Sequence, residues 1–127
     1  MYTFNEKFFS NINTEGKAYL LGFICTDGNV YKRNGHQTQL QISVKDCDNE
    51  VLIHFRESLE SNHPIKTIED SRRKDTKMST ITFVSNILGK TLEDNGIFPN
   101  KTFLIDYDYI FNLMDKNLWG SFFTWNV

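Results

Sequence analysis

Residues 18–28 read AYLLGFICTDG, and this stretch constrains the fold more than any other. Thr14 can cap a helix that begins near Glu15. Ala18, Tyr19, Leu20, Leu21, Phe23, Ile24 and Cys25 then place apolar side chains on every side of that helix. A helix that is apolar all round must be covered all round. Gly22 sits mid-helix, where glycine costs about 1 kcal/mol relative to alanine. It makes sense there if another backbone comes very close. Asp27 and Gly28 end the run, so a carboxylate is delivered at the tip of a buried helix.

The remaining elements follow from periodicity and turn chemistry. A short strand is expected over 29–33, and Asn34-Gly35 is a strong hairpin signal because both residues tolerate positive φ. Residues 38–45 alternate, with Leu40, Ile42 and Val44 on one side and Gln39, Gln41, Ser43 and Lys45 on the other. Asp46 or Asp48 can cap a helix over 48–61 with Val51, Leu52, Phe55 and Leu59 as its stripe, stopped by Pro64. Residues 65–69 and 78–84 read as a second strand pair. Ser85 can cap a helix to about Asp94, ended by Asn95-Gly96, and a last helix is expected over 107–116. The expected class is α+β: an αββαββα unit with an antiparallel sheet and its helices on one face.

Length supports one domain over 1–127. Hydrophobic residues at 39% and aromatics at 14% argue for a folded core rather than disorder. No apolar run approaches a membrane span, so no membrane partner is expected. No basic segment leads into a signal-type stretch, so the expected location is intracellular and cytoplasmic. Cys25 and Cys47, isolated and without a CxxC, read as two reduced core thiols.

The net charge of −2 taken alone argues against nucleic acid. Its distribution points the other way. The two strand pairs carry Lys32, Arg33, Lys45, Lys66, Arg72, Arg73, Lys74 and Lys77 against Glu69, Asp70 and Asp75. Residues 46–63 hold Arg56 against five acids. A basic sheet beside an acidic helical layer suits duplex DNA: Gln39 and Gln41 can bond adenine edges, and Arg and Lys guanine edges or phosphates. Ser43, Lys45, Lys32, Arg33, Arg72, Arg73, Lys74 and Lys77 complete the candidate DNA-binding set. An ordinary solvated sheet face explains the same residues without DNA.

LLGFICTDG, residues 20–28, resembles the signature of the LAGLIDADG homing endonucleases. The lead-in FNEKFFSNINTEGKAY, the two strand pairs and the segment GIFPNKT (96–102) are similar to the phage- and intron-type members of that group. The resemblance implies a site-specific double-stranded DNA endonuclease using Mg²⁺ or another divalent cation. It implies Asp27 as the catalytic, metal-binding acid, with backbone carbonyls at Thr26 or Gly28 beside it. It implies a homodimer through residues 18–26, with Leu21, Gly22 and Cys25 on the pairing face. Lys101 matches a recurrent lysine, for which a phosphate or active-site role and a solvated loop position stay open. Cys25 stands where many members carry a further acid. Residues 118–127 read as a degenerate second signature: Gly120 fits, but Trp125 stands where a second acid belongs. As a helix this segment would lie against Leu20 to Ile24 of its own chain, with Phe122, Phe123 and Trp125 over the pairing face; packed elsewhere, it would leave that face to recruit a second subunit. A catalytically inactive DNA-binding or protein-interaction descendant is therefore the alternative. His36, His54 and His63 lack the spacing of a histidine nuclease, and no GxxxxGK[ST] loop is present.

Overall fold

The computed structural model describes residues 2–69, 77–99 and 106–123. The elements run α1 (Glu15–Asp27), β1 (Gly28–Tyr31), β2 (Gln39–Lys45), α2 (Glu50–Ser58), β3 (Lys66–Glu69), β4 (Lys77–Val84), α3 (Asn86–Asp94), α4 (Tyr107–Asn112) and α5 (Trp119–Phe123). Four antiparallel strands form one sheet in the order β1-β2-β4-β3, so the class is α+β. Two hairpins thus join through their second strands. Leu40 lies opposite Phe83 and Ile42 opposite Ile81, and all four are fully buried beneath the helices.

The Thr14 hydroxyl accepts from the Lys17 N–H at 3.2 Å and starts α1. Every residue from Leu20 to Cys25 is buried. β1 and β2 cover one side of this helix and α5 another. Ser85 caps α3 through the Leu88 N–H at 3.1 Å and donates to Glu6 Oε1 at 2.6 Å. Gly96, at φ 88°, ends that helix as expected. The Asn95 side chain donates to the Phe9 and Thr91 carbonyls, both at 2.8 Å, which ties the N-terminal lead-in to α3.

Four local expectations change. The Asn34-Gly35 pair does not make a two-residue hairpin. Tyr31 pairs with Gln39, so residues 32–38 form the connection. Only Gly35 has positive φ, at 79°, and the His36 N–H bonds the Arg33 carbonyl at 3.0 Å. That is the pattern of a type II turn, whose twist does not match paired strands as a type I′ turn would. Neither Asp46 nor Asp48 caps α2; Asn49 precedes it without a side-chain bond, and Asp46 accepts from the Ser79 hydroxyl at 2.7 Å instead. The last expected helix is α4, capped by Asp106 and six residues long. Of the two expected core thiols, only Cys25 is buried; Cys47 is exposed.

His63 is buried against Phe4 and Phe83, with ring centroids 5.4 and 4.9 Å away. Ser61 Oγ accepts from the His63 backbone N–H at 2.9 Å and shares a hydrogen bond with the ring Nδ1 at 2.6 Å. Burial holds the imidazole below the ordinary histidine value of 6.5. The unfolded chain therefore takes up the proton first on acidification. Stability is full above about pH 6.5 and falls as pH drops toward the folded-state value. Urea midpoints should fall between pH 7 and pH 5.5, and His63→Gln should flatten that part of the profile. A variant that keeps the wild-type slope would assign the loss to other groups.

Candidate nucleic-acid interface and the acidic end of the first helix

The open face of the sheet is defined by register. Gln41 lies opposite Thr82, Ser43 opposite Thr80 and Lys45 opposite Met78. On the outer strands Asn29 lies opposite Gln41, and Lys66 opposite Thr80. Opposed residues share a face, so Asn29, Gln39, Gln41, Ser43, Lys45, Lys66, Thr80 and Thr82 form one polar surface. The Ser43 and Thr80 hydroxyls bond each other at 2.8 Å, which fixes both at the centre of the face. Gln39, Gln41, Ser43 and Lys45 are thus brought together as expected. Lys32 and Arg33 are exposed in the loop beyond β1.

Lys77 departs from its expected place. It lies opposite Glu69 and shares its parity with Ser79, Ile81 and Phe83, on the helix side of the sheet. Arg72, Arg73, Lys74 and Lys101 lie outside the described residues. Sequence reasoning passed over Lys66, Asn29 and Thr82 as DNA-facing groups. Alternation alone could have paired Thr82 with the polar row, but Lys66 needed the register.

Asp27 closes α1 with an exposed carboxylate. The Thr26 hydroxyl is spent on the helix, donating to the Gly22 and Phe23 carbonyls at 3.3 and 3.1 Å. Its backbone carbonyl belongs to the last turn, where such groups lack intrahelical donors. Gly28 makes no sharp turn after the helix. Its backbone is instead extended, at φ −78° and ψ 152°. What demands glycine is closeness: a Cβ there would stand 2.7 Å from the Ile24 carbonyl oxygen and 2.9 Å from its Cα.

Asp27 also lines a cleft of about 530 Å³ between α1 and the start of α2, with Asp48, Glu50, Cys47 and His54 among its walls and Tyr19 and Phe23 on the α1 side. The acidic balance of residues 46–63 is the sequence signal for these neighbours, but nothing in it placed them beside Asp27. Among the described residues, no group of three or more histidines, cysteines or acids is arranged to hold a metal ion. The three histidines stay apart: His36 and His54 are exposed, and His63 is buried beneath Phe4.

The expected pairing face is covered within the chain. Leu21, Gly22 and Cys25 are all buried, and α5 packs along α1 with the Phe122 backbone against Gly22. A Cβ on Gly22 would overlap the Phe122 carbonyl oxygen and stand 3.0 Å from its carbon. Gly120, the residue that fits the second signature, has open space where its Cβ would be. Burial pushes the Cys25 thiol up to about 12, so it stays protonated and unreactive. No helix among the described residues is long and apolar enough to cross a membrane.

No protein-family model matches this sequence, and no curated protein matches it significantly.

Proposed function

We propose that the chain binds duplex DNA through the open face of its sheet, as a LAGLIDADG-like unit. The observation that carries this reading is the single polar surface formed by Gln39, Gln41, Ser43, Lys45, Lys66 and Thr82 on the face opposite the helices. A two-stranded ribbon fits the major groove, about 12 Å wide, and glutamines there can meet adenine edges. Lys45, Lys66, Lys32 and Arg33 supply the phosphate contacts that set affinity.

Metal-dependent phosphodiester cleavage is the second half of the reading, and Asp27 supports it. Its exposed carboxylate and the Thr26 or Gly28 carbonyl are hard oxygen donors of the kind Mg²⁺ takes. They are too few for a full shell, so phosphate oxygens, water and a second acid must complete it. A bound ion would supply charge neutralisation and an activated water. A homodimer through residues 18–26 would bring the second Asp27, but α5 has to leave that face first. A single chain with α5 in place is therefore read as a DNA-binding module, which favours the non-catalytic alternative for that state.

Fluorescence anisotropy on mixed-sequence duplexes across a salt series tests the binding half. Lys45→Ala and Lys66→Ala should each reduce the salt slope by about one unit. Gln41→Ala should change which sequences bind and leave the slope alone. A wild-type slope near zero sinks the proposal. Asp27→Asn should keep binding and remove any Mg²⁺-dependent nicking of supercoiled plasmid; a variant that still nicks places the active site elsewhere.

A further inference from the structure

We infer that the open face ends in a receptor for an unstacked nucleotide, an inference that rests on the DNA-binding reading and adds a ligand subsite to it. β3 starts at Lys66, opposite Thr80, while β4 continues to Val84. Thr82 and Val84 therefore have no strand beside them on that side. The gap is a recess of about 330 Å³, walled by Tyr2, His63, Lys66, Thr82 and Val84 among others. Lys66, Thr82 and Val84 share the parity of the Gln41 row, so the recess opens on the same surface.

Its aromatic wall is built rather than incidental. Tyr2 is 60% exposed, yet its ring lies 5.2 Å from that of His63. The Thr3 N–H donates to the Asn62 side chain at 2.7 Å, and the Asn62 N–H returns a bond to the Thr3 carbonyl at 3.2 Å. The Asn5 N–H bonds the Leu59 carbonyl at 2.7 Å. These three bonds fix the segment that carries Tyr2. Beneath it, His63 is immobilised by Ser61, Phe4 and Phe83. The exposed ring is thus a preorganised platform with one side on protein and the other in solvent.

The remaining walls match the other parts of a nucleotide. Lys66 is exposed and cationic and suits a phosphate. Val84, 45% exposed, is an apolar wall at one end of this face, away from the exposed Ile68 opposite Met78. Ser43 already engages the Thr80 hydroxyl, which leaves Thr82 as the hydroxyl for a base edge. A recess near 300 Å³ is at the small end for ligand sites, enough for one base and its sugar. Aromatic stacking is sequence-tolerant, because every base has a π-face. A base inside a duplex cannot reach Tyr2 without leaving its stack. The natural occupant is a bulged, single-stranded or kinked nucleotide next to the duplex held by the Gln41 row.

The test compares a duplex carrying one extra unpaired thymidine with the fully paired duplex of the same flanks, by anisotropy at low salt. The bulged duplex should bind about tenfold tighter, as expected of one stacked base. Tyr2→Ala should abolish that difference and leave affinity for the paired duplex unchanged; Tyr2→Phe should retain the difference. A 2-aminopurine at the bulge should be quenched on binding by wild type and not by Tyr2→Ala. Equal affinity for the two duplexes, or a Tyr2→Ala loss equal on both, overturns the nucleotide subsite and leaves duplex binding standing. Absence of binding to either duplex overturns both.

Discussion

Gly22→Leu is expected to release the C-terminal helix from the protein, and even Gly22→Ala should destabilise it. In an exposed helix, replacing glycine by alanine stabilises by up to about 1 kcal/mol. At Gly22 the sign should reverse. The position of an added Cβ is already occupied by the Phe122 carbonyl, with Phe122 Cα at 3.3 Å. Those obstacles are backbone, so they cannot be relieved by a rotamer change, and α5 must move as a body. Overpacking of this kind costs about 1–3 kcal/mol and sometimes more. Leucine adds three further carbons to the same space. Gly16 is the internal control: it lies in the first turn of α1 with nothing near its missing Cβ. Gly16→Ala should raise the denaturation midpoint slightly while Gly22→Ala lowers it. If both raise it by similar amounts, the close crossing of α1 and α5 does not exist in solution.

The parts of this fold that were legible in the sequence are those set by local chemistry. Thr14 and Ser85 read as caps because a hydroxyl before a helix can take an orphan N–H, and both do so. The alternation of residues 38–45 gave the two faces of β2, since a half-buried strand has period two. Gly22 announced a close backbone because nothing local favours glycine there. What the sequence left open was the identity of that backbone, a second copy or the chain's own residues 118–127. Pattern alone cannot choose between them; in the fold Phe122 of the same chain lies against Gly22. Lys77 failed for a related reason: charge counting treats a strand pair as one basic object, but parity puts Lys77 and Lys66 on opposite faces. Asp27 was found from its place at the end of the motif. Asp48 and Glu50, which line the same cleft, were not, because the folding of the segment that leads into α2 brings them there rather than spacing.

Deleting residues 118–127 should convert a well-behaved chain into one that dimerises or aggregates. Leu118 and Phe122 are 5% and 0% exposed, and each buried side chain of this size contributes about 1.5–3 kcal/mol. Their loss takes a large share of the 5–15 kcal/mol that holds a typical domain together. It also uncovers Leu21, Gly22 and Cys25, a strip without a charged side chain. Two such strips can approach closely across Gly22, in the way α5 does now. Light scattering should therefore show a rise in mass for the truncated chain, and its denaturation midpoint should become concentration-dependent. Unchanged mass together with an unchanged midpoint would mean that α5 does not cover α1. The truncated chain also separates the two functional readings. Paired through Gly22, it carries two Asp27 carboxylates on adjacent helix ends, the arrangement that Mg²⁺-dependent cleavage needs. Nicking that appears only on truncation and vanishes with Asp27→Asn makes the C-terminal helix an intramolecular substitute for the second subunit. A truncated dimer that binds duplex DNA and leaves it intact makes the chain a binding module whatever its oligomeric state.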